Sequence, residues 1–214
     1  MIKAVLFDFD GTLADTLPFY IKAYDAALRS VGFVLDGKEI AQKCFGKSEF
    51  VICKGLGIPE KTETFAQVYF SAVKNLFKHA PLFDDTIEVL NFLKDRDIKI
   101  IVITFAYRWY IDQMMSQYKL DAYFDFIIST DDVTSPKPHP EAVLKAIEKL
   151  QITLKETLVV GDSKSDILMG KAAGSKTVLF TRKEYDLFYS FDELKKTNPD
   201  FIVTNLSQIK KLVL

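Results

Sequence analysis

The hydrophobic pattern changes period twice along the chain. Ala4-Val5-Leu6-Phe7 is an unbroken apolar run, the pattern of a short strand buried on both faces. From Leu17 the period becomes helical. Leu17, Tyr20, Ile21, Tyr24, Leu28 and Val31 recur at three- and four-residue steps, and the pattern stops at Gly32. Further helices are predicted over 38–44, 48–56 and 62–77, the last carrying Phe65, Val68, Tyr69, Ala72, Val73 and Leu76 on one face. No strand pattern lies between Ala14 and Pro81. Beyond Pro81 helix and strand alternate. Helices are predicted over 85–95 (with Ile87, Leu90 and Leu93 inward), 107–118, 141–150, 165–173 and 192–196, and strands over 99–104, 126–129, 157–161, 177–180 and 201–203.

Alternation of this kind implies an α/β fold: a doubly wound parallel sheet, Rossmann-like, with helices on both faces. The helical stretch interrupts it after the first strand. The expected organisation is therefore a core domain from 1–14 and 81–214, with a small helical domain inserted as 15–80.

Composition narrows the function classes. A chain of 214 residues suits one sizeable domain or a core with a smaller companion. A formal net charge of −1 gives no electrostatic case for nucleic acid or a membrane surface, and no apolar run approaches the ~20 residues needed to cross a bilayer. The N-terminus enters a core strand directly, without the basic and apolar regions of a signal peptide. Cys44 and Cys53 lack both metal-ligand and disulfide-framework spacing and read as buried thiols. A reducing, cytoplasmic setting is expected. Oligomeric state is not legible.

The candidate chemistry sits where strands end. Asp8 and Asp10 follow the first strand and alternate onto one side, at the carboxyl edge where open α/β sheets bind ligands. Thr104 closes the 99–104 strand. Lys137 stands between Pro136 and Pro138, which hold its loop extended. Gly161-Asp162-Ser163 leads from a buried strand into a helix that carries Asp166 in its first turn. Each has a bland reading: an Asp-Gly turn, a good β residue, a rigid loop, acidic helix capping. Together they put four carboxylates, a lysine and a hydroxyl on one edge. Buried like charge at that density is costly without a divalent cation. Hard oxygen ligands without a Cys or His cluster suit Mg²⁺ rather than zinc, and lysine and threonine donors beside it suit phosphate.

Asp8-x-Asp10-Gly11-Thr12, strand-end Thr104, Lys137 and Gly161-Asp162-x-x-x-Asp166 follow the order and approximate spacing of the haloacid dehalogenase-like (HAD) phosphohydrolases. The helical insertion resembles that family's cap. Lys137-Pro138-His139-Pro140 and Gly161-Asp162-Ser163 are similar to the phosphoglycolate phosphatase and β-phosphoglucomutase-like branch. The resemblance covers nearly the whole chain. It implies a nucleophile at Asp8 and a general acid–base at Asp10. It implies Mg²⁺ held by Asp8, Asp10 (through its backbone carbonyl) and Asp162, with Asp166 orienting a metal water or Lys137, and phosphate held by Lys137 and Thr104. Relatives often carry Asn or Gly after the strand-end Thr; here it is Phe105, whose backbone N–H could still serve phosphate. Lys47, in the loop between two helices of the insertion, is a candidate contact to the leaving group, and Arg108 a weaker one. His79, His139 and Trp109 read as structural.

The leading expectation is a Mg²⁺-dependent phosphatase acting on a small phosphorylated metabolite, phosphoglycolate-like or a sugar phosphate. A phosphomutase uses the same motifs and stays open, as does a non-catalytic phosphate-binding scaffold. A phospho-receiver module is disfavoured because its acceptor would lie on an interior strand, not the first.

Overall fold

Six short strands form one parallel sheet, and its order explains why the first strand matters. The computed structural model describes residues 1–214, the side chain of Leu187 aside. In chain order the elements are β1 (Ala4–Phe7), α1 (Leu17–Ser30), α2 (Gly37–Cys44), α3 (Glu49–Gly55), α4 (Thr62–Leu76), α5 (Thr86–Lys94), β2 (Lys99–Ile103), α6 (Arg108–Tyr118), β3 (Phe126–Ile128), α7 (Glu141–Leu150), β4 (Thr157–Gly161), α8 (Lys164–Ala173), β5 (Lys176–Phe180), α9 (Phe191–Lys195) and β6 (Phe201–Val203). The sheet order is β3-β2-β1-β4-β5-β6. The chain winds outward from β1 to β3, then crosses to the other side and winds outward again. The reversal falls at β1 and β4, and such switch points open a crevice at the carboxyl ends of the strands.

Burial follows from strand alternation. Ala4 and Leu6 join Ile101, Ile103 and Val159 on one face, covered by Ala142, Val143 and Ala146 of α7 and by Met169 and Ala173 of α8. Val5 and Phe7 alternate to the other face and are also fully buried. β1 is registered Phe7↔Val102 with β2 and Phe7↔Val160 with β4, so the three strands end together. The doubly wound α/β fold expected from the pattern is the one observed.

Two compact units can be separated. The core unit is Met1–Ala14, Leu82–Lys183 and Phe191–Leu214; the helical unit is Asp15–Pro81 together with Glu184–Ser190. In the core unit Ala14 pairs antiparallel with Leu82, closing the point where the chain leaves and returns. The helical unit is built on aromatic contacts. Tyr24 stacks on Tyr69 at 4.5 Å, Tyr20 meets Phe77 edge-on at 4.6 Å, and Phe45 packs against Phe188 and Tyr189. Those last contacts bind the segment Glu184–Ser190 to the helices.

One inward residue is corrected. Ile87 of α5 is 37% exposed, whereas Thr86, Val89, Leu90 and Leu93 are buried. The buried stripe starts one residue earlier than the apolar letters suggest. Thr86 can be buried because its hydroxyl donates to the Leu13 carbonyl at 2.8 Å. Cys44 and Cys53 are free and buried, as expected.

Candidate active site

The site grows from the turn that follows β1. The Asp8 N–H still donates to the Val160 carbonyl at 2.8 Å, so Asp8 is held by the sheet although its side chain lies beyond it. The chain then folds back: the Gly11 N–H reaches the Ala14 carbonyl at 2.8 Å, and Gly11 takes φ +79°, a left-handed turn that glycine adopts without a Cβ clash. Asp8 and Asp10 therefore sit on a fixed backbone.

Around Asp8 the charges pair. The Lys137 ammonium, in a side chain only 3% exposed, lies 2.9 Å from Asp8 Oδ1 and 2.6 Å from Asp166 Oδ1. Burial alone would lower the pKa of Lys137, but Asp166 and Asp8 outweigh it and hold the ammonium charged. Burial pushes the Asp8 carboxyl up to about 7; the Lys137 ammonium opposes this, while Asp166 and Asp10 add to it. Asp162 is likewise raised well above the ordinary carboxylate range, first by burial, then by Asp8 and Asp166, with the Thr12 hydroxyl opposing.

Asp166 does two jobs. Its Oδ1 accepts from Lys137, and its Oδ2 accepts from the Ser163 N–H at 3.1 Å and the Ser163 hydroxyl, closing a capping box at the start of α8. Asp166 thus both caps α8 and pairs with Lys137. Its position depends on the bareness of Gly161. A Cβ there would lie 2.3 Å from Asp166 Cγ, closer than any real contact.

The acidic group has the character of a cation site. One oxygen each from Asp8, Asp162 and Asp166 can lie within 4.8 Å of one another. Asp162 Oδ1 accepts from Thr12 Oγ1 at 3.1 Å, but Asp162 Oδ2 is buried with no partner. An orphaned buried carboxylate oxygen beside two further carboxylates fits a hard divalent cation, and the all-oxygen set fits Mg²⁺.

Thr104 is buried at the same edge, just past the end of β2, and its Oγ1 accepts from the Ala106 N–H at 3.0 Å while keeping its own hydrogen to donate. The adjacent Phe105 lies in the bend between β2 and α6. Asp10 Oδ1 accepts from the Tyr110 hydroxyl at 2.6 Å. Lys47 lies in the helical unit, where its ammonium donates to the Gln42 and Lys43 carbonyls at the end of α2, 2.9 and 3.0 Å away. Arg108 pairs with Asp132 at 2.7 Å and also donates to the Ile127 carbonyl, which ties the start of α6 to the loop after β3. His139 Nδ1 accepts from the Glu141 N–H at 3.3 Å.

Four residues at the site were not singled out by the sequence reading. Thr12 orients Asp162, and its place in the Asp-Gly-Thr run was a usable signal. Ser163 fixes Asp166 and could have been found from the capping-box spacing. Glu141 accepts from the Thr134 and Ser135 N–H groups at 3.0 and 2.8 Å, anchoring the Lys137 loop. Tyr110 had no local signal: it reaches Asp10 across 100 residues of sequence.

Comparison with known proteins bears on the family. The family model described as haloacid dehalogenase-like hydrolase matches residues 5–180. Pyrophosphatase PpaX of Anoxybacillus flavithermus is 30% identical over 99% of this chain and 97% of its own. Phosphoglycolate phosphatase 1 of Pseudomonas aeruginosa is 29% identical over 84% of this chain and 69% of its own. A crystal structure of a Bacteroides fragilis protein assigned to the haloacid dehalogenase-like hydrolases superimposes with a TM-score of 0.86 at 30% identity, covering 98% of this chain and all of that one. The strand order, the carboxylate-lysine edge and the match to the family model lead to one conclusion: this chain belongs to the haloacid dehalogenase-like hydrolases.

Proposed function

We propose that the protein is a Mg²⁺-dependent phosphatase that hydrolyses a small phosphomonoester through an aspartyl-phosphate on Asp8. The observation that carries this reading is the buried ion-pair chain Asp8–Lys137–Asp166 beside the unpartnered Asp162 Oδ2. Three carboxylates, Asp8, Asp162 and Asp166, cluster beside one ammonium that pairs with Asp8 and Asp166, so the edge has room for positive charge and, beyond it, for a phosphate dianion. Asp8, Asp162 and the Asp10 carbonyl would hold Mg²⁺, with Asp166 supporting from behind through Lys137. Bound there, the ion supplies charge that keeps Asp8 ionised and offsets its repulsion from phosphate.

The chain's own residues then perform the following steps. Asp8 attacks phosphorus in line, forming a new P–O bond. The bond to the leaving oxygen breaks, and its electron pair stays on that oxygen, which takes a proton from the Asp10 carboxyl. Lys137 and Thr104, with the Phe105 N–H, donate to the phosphoryl oxygens as charge spreads onto them. A water molecule next attacks the phosphorus of the aspartyl-phosphate and gives a proton to the Asp10 carboxylate. The P–O bond to Asp8 breaks, its pair returns to the carboxylate, and inorganic phosphate leaves.

For the substrate, the names of the relatives put two compounds on the panel: phosphoglycolate, a phosphomonoester, and pyrophosphate, a phosphoanhydride that the same steps would cleave with phosphate as the leaving group. Phosphate release is measured from these two, from hexose phosphates, nucleoside monophosphates and an aryl phosphate, with Mg²⁺, with EDTA, and with Asp8→Asn. Release that needs both Mg²⁺ and Asp8 is the expected result, and the rank order names the substrate class. Undiminished release by Asp8→Asn would remove Asp8 as nucleophile. An isomerised sugar phosphate without free phosphate would make the protein a mutase.

A further inference from the structure

We infer that Tyr110 positions the Asp10 carboxyl for its proton transfers, an inference that rests on the acid–base role proposed above for Asp10. The Tyr110 side chain is almost fully buried, and its hydroxyl donates to Asp10 Oδ1 at 2.6 Å, the length of a hydrogen bond to a charged oxygen. Both ends of the contact are fixed. Asp10 stands in the turn closed by the Gly11–Ala14 bond and by the Asp10–Ala14 bridge. Tyr110 stands in the first turn of α6, whose start is held by the Arg108 N–H on Asp131 at 2.6 Å and by the Arg108 guanidinium on Asp132.

A backbone held at this turn leaves two side-chain torsions of Asp10 to be set, and the hydrogen bond from the phenol fixes where Oδ1 lies. A carboxyl group has two oxygens. With Oδ1 accepting from Tyr110, the proton that travels to the leaving oxygen sits on Oδ2, and so does the lone pair that later receives a proton from water. Proton transfer is sensitive to such placement, since an error of about 1 Å can cost on the order of 10²-fold in rate. The plain alternative is that a buried phenol has simply found a hydrogen-bond partner, as buried tyrosines do.

The leaving group separates the two readings. A dinitrophenolate departs without a proton, whereas a phenolate needs one from Asp10 as the P–O bond breaks. The experiment compares kcat/KM for 2,4-dinitrophenyl phosphate and phenyl phosphate, in saturating Mg²⁺, for the native protein, Tyr110→Phe and Asp10→Asn. Phenylalanine keeps the ring and removes only the donor. Tyr110→Phe is expected to lose roughly 10- to 100-fold on phenyl phosphate and less than about twofold on dinitrophenyl phosphate. The ratio of the two values does not depend on how much of the variant is folded, so partial unfolding cannot imitate the result. An equal loss on both substrates, or no loss on either, would overturn the inference. Asp10→Asn tells which premise failed. A larger gap in Asp10→Asn without one in Tyr110→Phe sinks the positioning role alone, and no gap in Asp10→Asn sinks the acid role beneath it.

Discussion

At the edge of β1, burial raises the pKa of Asp8 to about 7 and that of Asp162 well above the usual range, so neither carboxylate is at ease there as an anion. Lys137 answers part of that charge, and breaking a buried pair of this kind typically costs about 3–5 kcal/mol because the survivor is left uncompensated. The residue that makes the arrangement possible has no side chain. Gly161→Ala would put a methyl group 2.3 Å from Asp166 Cγ, so Asp166 must swing away and release both Lys137 and Ser163. The expected outcome is a stability loss of roughly 1–3 kcal/mol in a melting experiment together with a large fall in phosphate release. Unaltered activity would mean that Asp166 does not hold Lys137 in the working site. Residues of this kind differ in how far the sequence announces them. Asp8, Asp162 and Asp166 stand at strand ends or a helix start, where position alone gives them a place. Tyr110 is one aromatic among many on a helix, and only the folded chain brings it to Asp10.

At the level of elements, the loop that carries Lys137 is shaped by prolines and anchored by Glu141 at the start of α7. Hydrogen bonds from Lys145, then from the Thr134 and Ser135 N–H groups, hold the Glu141 carboxyl down at about 2 against an ordinary 4.5. A lowered carboxylate stabilises the fold above its unfolded-state pKa and loses that contribution as pH falls through the folded value. The tether is therefore complete at neutral pH and fades between about 4.5 and about 2. In Glu141→Gln the amides of Thr134 and Ser135 are expected to exchange hydrogen faster than in the native protein at pH 7, the difference narrowing across that acid window. Equal protection at pH 7 would show that the loop is held by its prolines alone. Element boundaries were largely legible: the runs of apolar residues place β1 and β4 to the residue, and Pro140 marks the start of α7. Ile87 was misread because an apolar letter outweighed Thr86, whose burial depends on a hydrogen bond to Leu13 that no local pattern reveals. The grouping of Glu184–Ser190 with the helices escaped for the same reason: it rests on Phe188 and Tyr189 meeting Phe45 far away in sequence.

Over the whole molecule, alternation of strand and helix determined the sheet, and the sheet determined where the charges meet. Starting on the central strand and reversing direction beside it places the ends of β1, β2 and β4 together, and with them Asp8, Thr104 and Asp162. That much of the site was readable because ordered motifs at strand ends survive translation from sequence to topology. What could not be read was which oxygen binds which donor, since this depends on contacts between distant segments. Among the described residues no helix is long and apolar enough to cross a membrane, and the Anoxybacillus flavithermus relative matched over almost its full length carries a pyrophosphatase name. The central claim is the covalent step at Asp8. It is tested most directly by mixing the protein with Mg²⁺ and a ³²P-labelled substrate from the panel, quenching in acid within the first turnovers, and digesting the chain to locate the label. The account predicts a phosphate on the peptide containing Asp8 that survives cold acid and is released by base and by neutral hydroxylamine, absent from Asp8→Asn. Steady turnover with no label on the protein, or label on another residue, would contradict it.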